Sequence, residues 1–324
     1  MLQLPERWLW DFWFARDGLD YHLFYLQASS HLEHPDLRHW NVSIGHAVSQ
    51  DLRNWSVLPD ALHPAADDPQ AFDSFTTWTG SVIRHDGLWY MFYTGASRRA
   101  EDQNGLVQRV GLATSPDLLR WTKHPANPLI VADPARYELL DRSLWHDQAW
   151  RDPCVIRHTD GRFYAFITAR VNNGPADGRG VIALAQSNDL MAWEVREPVT
   201  LDGDFGQMEV PQVLEIGGRW YLLFCTAAQH HSAARRARIR PEQVVTGTHY
   251  LVADNPLGPY RSITDDFLCG DARGSLYSGK LIQDPAGDWK FMAFHNTAPD
   301  GSFIGAISDP LPVRVEADGR LVLS

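Results

Sequence analysis

Three acidic residues sit in aromatic or otherwise unusual surroundings: Asp11 in WLWDFWF (8–14), Asp152 in WRDP (150–153) and Glu209 in MEVP (208–211). Each has an ordinary use on its own. Asp152 could hold a turn ahead of Pro153, Glu209 could be a solvated strand-edge residue, and Asp11 could cap a turn. Gathered at one place they would have a chemistry. Carboxylates that share a site shift one another's pKa values, so that one can keep its proton while another is ionised. Cleavage of a glycosidic bond uses that division, with an ionised carboxylate under the anomeric carbon and a protonated one at the leaving oxygen. Trp8, Trp10, Trp13, Trp78 and Trp150 lie close to these acids or to their equivalents and offer flat faces that suit sugar rings.

Internal repeats supply the elements that would gather them. An aromatic, alternating run follows a tight turn five times: from Asp17 (DGLDYHLFYLQ), Asp86 (DGLWYMFYTG), Asp160 (DGRFYAFITA), Gly217 (GGRWYLLFCT) and Ala286 (AGDWKFMAFH). Asp-Gly and Gly-Gly supply the positive φ of two-residue hairpin turns, and the flanks have strand composition. A second segment follows each hairpin, as IGHAVSQDLRNW (44–55), VGLATSPDLLRW (110–121), IALAQSNDLMAW (182–193), HYLVADNPLGPY (249–260) and IGAISDPLPV (304–313). Five four-stranded units describe an all-β fold, a single five-bladed β-propeller occupying residues 1–324. The closing VRVEADGRLVLS (313–324) reads as a last outer strand plus a hairpin, leaving no room for a C-terminal β-sandwich. The competing arrangement is a β-sandwich with accidental internal similarity.

With strands counted outward from the axis, the longer connections join strands two and three, and one blade to the next. Strand alternation places both classes on one face of the disc, where binding and catalysis are expected. Counting nine residues back from the second turn residue leads from Gly87 to Trp78, Gly161 to Asp152, Gly218 to Glu209 and Gly287 to Ser278. Asp11 stands seven residues before Gly18, with the same parity. The three carboxylates are therefore expected at equivalent positions around the channel mouth. Trp10, Trp13, Gln27, Trp78, Arg151 and Ser278 are the expected substrate contacts.

These segments, with YHLFY (21–25), GHAVSQDLRNW (45–55), WTGS (78–81) and MFYTG (91–95), resemble glycoside hydrolase family 32, the β-fructofuranosidases. More loosely they are similar to the levansucrase-type and arabinan-cleaving five-bladed enzymes. The resemblance implies Asp11 as nucleophile, Asp152 as transition-state stabiliser and Glu209 as general acid/base. The family's first motif reads W-x-N-D-P-N-G, and Trp10, Phe12 and Trp13 stand here at its Asn, Pro and second Asn positions. Val210 replaces the Cys that follows the acid/base, and Ile44 stands where a Trp usually precedes GHA. The implied activity is retaining hydrolysis or transfer of a β-D-fructofuranosyl unit. The alternatives are an inverting arabinofuranosidase with Asp11 as general base, and a sugar-binding propeller without turnover.

Composition narrows the partners. The 324 residues carry 29 Lys+Arg against 40 Asp+Glu, a net charge of −11 that disfavours a nucleic-acid backbone as partner. Only Lys123, Lys280 and Lys290 are lysines. No apolar run reaches membrane-span length, and the first residues lack a basic-then-apolar leader. Cys154, Cys225 and Cys269 lack metal-ligand spacing, so neither metal nor cofactor is expected and a reducing, cytoplasmic setting is. The expected partner is a small-molecule or oligosaccharide substrate. Residues 229–240, QHHSAARRARIR, read either as an anion-recognising or oligomer-contact loop or as a solvated short helix.

Overall fold

A computed structural model describes all of residues 1–324, in five antiparallel sheets. Blade one contains Arg7–Asp17, Asp20–Ser29, Ser43–Ser49 and Ser56–Leu62, and blade two contains Thr76–His85, Leu88–Ala96, Gln108–Ser115 and Thr122–Lys123. Blade three contains Trp150–Arg157, Phe163–Arg170, Gly180–Ser187 and Trp193–Arg196, and blade four Glu209–Ile216, Arg219–Thr226, Thr246–Ala253 and Cys269–Asp271. Blade five is built from Leu276–Gln283, Trp289–Thr297, Phe303–Ile307, Leu311–Val315 and Leu321–Leu323. The innermost strands touch their neighbours around the ring, and the first meets the fifth. This is the expected five-bladed propeller.

The second strand of each blade is covered on both faces by the adjoining blades. Its sequence is accordingly a continuous apolar run such as Tyr21–Leu26, Trp89–Tyr93 or Tyr221–Cys225, all buried, with the half-polar His22 as an exception.

The repeated S-x-D-L-x-x-W has a local cause. In blade three the Ser187 hydroxyl donates to Asp189 Oδ1 at 3.0 Å, and that oxygen accepts the N–H groups of Met191 and Ala192 at 2.8 and 2.9 Å. Leu190 takes φ 66° and is fully buried, and Trp193 Nε1 donates to its carbonyl at 3.0 Å. Leu52 and Leu118 repeat the left-handed conformation at φ 61° and 64°. The carboxylate satisfies a backbone that cannot join the ladder, and the burial of leucine, with partial cover of the tryptophan, offsets the strain.

Two expectations need correction. The hairpins after the innermost strands of blades three and five are five-residue loops, 158–162 and 284–288, rather than two-residue turns. The C-terminal segment is not simply an outer strand. Lys290 and Phe291 pair with Pro312 and Leu311, so Leu311–Val315 continues the broken line of the third strand, and Leu321–Leu323 lies outside it. Beyond Phe303–Ile307 the outer place is taken by the N-terminal segment, where Leu2 and Ile307 exchange both backbone hydrogen bonds at 2.9 Å.

Candidate active site

Every innermost strand carries a one-residue bulge near its start, between Leu9 and Phe12, Trp78 and Gly80, Arg151 and Cys154, Glu209 and Gln212, and Tyr277 and Lys280. A bulge re-aims side chains that a flat strand would send to opposite faces. Asp152, Val210 and Ser278 hold the same bulge position, with φ of 57°, 51° and 56°. The acids therefore do not share one structural address. Asp152 occupies the left-handed position, Glu209 precedes it in blade four, and Asp11 lies one step past its equivalent in blade one. The nine-residue count reached the right side chains because the five-residue hairpin loops shift the count in blades three and five.

The three acids nonetheless meet, lining one cavity of about 400 Å³ on the long-loop face. Its wall comes from Trp10, Trp78 and Thr79 on innermost strands, and from His39, Trp40, His146, Asp147, Gln207 and His230 on connections. Glu209 is the most firmly held of the three. Arg151 Nη2 donates to its Oε1 at 2.9 Å, Gln207 Nε2 donates to the same oxygen at 3.0 Å, and the Tyr277 hydroxyl donates to Oε2 at 2.5 Å. Burial raises the Tyr277 pKa well above its usual value, with the Glu209 charge acting the same way, so this hydroxyl remains a donor. Arg151 also donates to Gln108 Oε1 at 3.0 Å and has Asp147 Oδ2 at 3.5 Å and Asp152 Oδ2 at 3.6 Å.

Asp152 Oδ2 accepts the Val210 N–H and the Thr168 hydroxyl, both at 3.1 Å. Burial pushes its pKa up to about 7, against the pull of Arg151 and with the repulsion of Asp11 and Glu209. Asp11 Oδ2 accepts the Thr79 hydroxyl at 2.8 Å. Burial raises its pKa, the Thr79 hydrogen bond opposes the rise, and the Glu209 charge adds to it. Near neutral pH the cluster is thus one in which Asp152 readily carries a proton, leaving Asp11 one fewer anionic neighbour. No group of His, Cys, Asp and Glu is arranged to hold a metal ion.

Of the expected contacts, Trp10, Trp78 and Arg151 line the cavity. Trp78 is fixed by its Nε1, which donates to the His39 carbonyl at 2.8 Å. Ser278 is fully buried, its hydroxyl lacking a well-formed hydrogen bond, and it influences Asp11 without lining the wall. Trp13 is misplaced: two residues past Asp11 is about 6.6 Å farther along the strand. It stacks on Phe24 with centroids 6.2 Å apart and faces a second cavity at the opposite channel mouth. Gln27 is also misplaced, because its amide donates within its own blade to Ser43 Oγ at 3.2 Å and Asp60 Oδ1 at 2.6 Å. Trp150 is entirely buried, and Trp8 packs edge-on to Phe303.

Sequence reasoning missed Tyr277, Gln108, Asp147, Gln207, Trp40 and His230. Most sit on loops or strand ends outside the repeats; Thr79 was visible inside WTGS but unassigned. Within residues 229–240 only His230 lines the cavity, and the arginines sit in and after a short helix, Ala233–Arg236, outside its wall. Arg235 pairs with Asp204 and Asp265 at 3.3 and 3.4 Å, Arg238 with Asp204 at 2.8 Å, and Arg240 with Glu242 at 3.0 Å.

The profile of the glycosyl hydrolases family 32 N-terminal domain matches residues 13–297. The chain belongs to glycosyl hydrolase family 32. The match includes Asp152 and Glu209 and begins two residues after Asp11. Among family members, an insoluble β-fructofuranosidase isoenzyme of Arabidopsis thaliana is 32% identical over 176 residues, 53% of this chain and 28% of the relative. A probable sucrose-6-phosphate hydrolase of Psychromonas ingrahamii is 30% identical over 72% of this chain and 39% of its own length. The chain spans about half the length of the plant relatives that align along nearly all of it. The inulosucrase of Halalkalicoccus jeotgali bound to kestose shares the fold, with a TM-score of 0.81 at 22% identity over 99% of this chain and 87% of that one.

Proposed function

We propose that this family 32 chain hydrolyses or transfers a β-D-fructofuranosyl unit with retention of anomeric configuration. Asp11 attacks the anomeric carbon while Glu209 gives its proton to the departing glycosidic oxygen, which leaves as an alcohol. Glu209, now a carboxylate, then takes a proton from water or from a second sugar hydroxyl. The oxygen so activated attacks the fructosyl carbon and frees Asp11. Asp152 holds ring hydroxyls in this reading, and Trp10 and Trp78 offer apolar faces to the sugar.

The observation that carries the reading is the convergence of three blades on one cavity, with Glu209 fixed by Arg151, Gln207 and Tyr277. The cavity wall holds five carboxylates, those of Asp11, Asp36, Asp147, Asp152 and Glu209, against the single guanidinium of Arg151. His39 adds no charge, since burial pushes its pKa down to about 3. That balance suits an uncharged sugar over a phosphorylated one. The free state of all three cysteines supports a reducing compartment.

The test is a screen of sucrose, inulin, levan and aryl furanosides with the wild type, Asp11→Ala and Glu209→Ala. Proton NMR of the first-formed anomer accompanies it. Fructose release with retention, lost in both variants, is the expected result. An inverted first product would assign Asp11 to base catalysis on water. Tight sugar binding without turnover by the wild type would make the propeller a binding module.

A further inference from the structure

Lys280 is one of three lysines in the chain and the only one that is buried, at 6% exposure. It is the first residue past the blade-five bulge, where it pairs with Met292. Its side chain crosses to blade four, and Nζ donates to the carbonyls of Val210 and Pro211 at 2.8 and 3.1 Å. Those carbonyls belong to the bulge that carries Glu209 and aims the Val210 N–H at Asp152. Val210 is β-branched and sits at φ 51°, a conformation that persists only where its surroundings hold it.

The charge of Lys280 has as clear a setting as its hydrogen bonds. The titratable groups facing it are Asp11 from blade one, Asp152 and Cys154 from blade three, and Cys225 from blade four. Burial raises both thiols, Cys225 to about 12, so they face it as neutral groups. The two aspartates are the acidic groups that remain, and a positive charge on Lys280 favours their ionised forms. Lys280 borders the cavity at the opposite channel mouth and does not line the acidic one, so it approaches these aspartates from behind.

We propose that Lys280 is a positioning residue for the reaction: it clamps the blade-four bulge through two carbonyls and supplies the positive charge behind Asp11 and Asp152. The proposal rests on the fructosyl-transfer reading above for its kinetic consequence. Two substitutions separate the clamp from the charge. Lys280→Gln keeps an N–H donor for the carbonyls and removes the charge, whereas Lys280→Met removes both.

The kinetic experiment measures kcat and KM on the fructoside that the wild type turns over best, across pH. In Lys280→Gln the acidic limb of kcat/KM is expected to move to higher pH by about one unit, because loss of a nearby cation disfavours ionised Asp11. Its kcat is expected to fall on the order of tenfold with KM changed less than about threefold, and Lys280→Met to fall further. Carboxyl 13C NMR titration of wild type and Lys280→Gln reads the same charge without turnover, with the Asp11 and Asp152 midpoints moving up in the variant. A wild type silent toward every furanoside overturns the fructosyl reading alone, and the titration still decides the role of Lys280. An unshifted acidic limb and unshifted carboxyl midpoints in Lys280→Gln overturn the proposal. So does loss of folded protein in both variants, which would make Lys280 a core residue only.

Discussion

Tyr277 reaches Glu209 through a single short hydrogen bond from a ring packed edge-on to Phe294 with centroids 6.0 Å apart. Tyr277→Phe keeps the ring and removes the donor. A hydrogen bond to a charged group contributes about 1.5–3 kcal/mol to stability, so the melting temperature should fall, and kcat/KM for fructoside cleavage should fall on the order of tenfold in steady-state assays as Glu209 loses one of its three donors. Asp152 leads to a prediction about stability. Its carboxyl titrates near 7 in the folded chain, and an unfolded Asp titrates at about 3.9. Between those values the folded state binds a proton that the unfolded state has released, so stability falls as pH rises through this window and the deficit persists above it. Asp152→Asn cannot ionise. Its melting temperature should exceed the wild-type value by more at pH 8 than at pH 4, as read by differential scanning fluorimetry. The acids themselves were legible in the sequence because RDP and the aromatic flanks mark them. Tyr277, Gln207 and Asp147 were not, because nothing in strand periodicity tells which side chains from other blades or loops bend back over a neighbour's carboxylate.

At the scale of elements, the bulge is what the sequence concealed. Period-two alternation sets Trp10 and Asp11 on opposite faces, yet both line the cavity because the extra residue between Leu9 and Phe12 turns the chain. The same argument misassigned Trp13, whose parity is right and whose depth along the strand is wrong. Gln27 was lost for another reason, since a polar side chain on a covered second strand finds partners inside its own blade. The outer turns were fully legible, because their chemistry is local. Asp189→Ala removes the acceptor for two backbone N–H groups and a hydroxyl, and should cost about 1–2 kcal/mol in urea unfolding without changing KM for the sugar. Those hydrogen bonds also depress the Asp189 pKa, so the contribution is present above the unfolded value and fades as pH falls below it.

Charge and ring closure belong to the whole molecule. The net charge of −11 is matched by an acidic cavity, and Arg235, Arg238 and Arg240 are spent on Asp204, Asp265 and Glu242 while Arg236 donates to the carbonyls of Ala228 and His231. The chain should therefore favour sucrose over sucrose 6-phosphate by at least tenfold in kcat/KM at low ionic strength. Added salt should narrow the gap through screening, and initial-rate assays at two salt concentrations would check both statements. The five repeats told the fold because each blade repeats its own short-range pattern. The join between first and last blades has no repeat to announce it. Leu2 and Ile307 form the last rung of the ring, 305 residues apart in the chain. A growing polypeptide emerging from the ribosome can pair the strands of blades one to four as they appear, but its N-terminal segment must wait for Ile307 before it finds its partner. Closure is then a late event of high contact order, and until it happens two unpaired strand edges stay open to neighbouring chains.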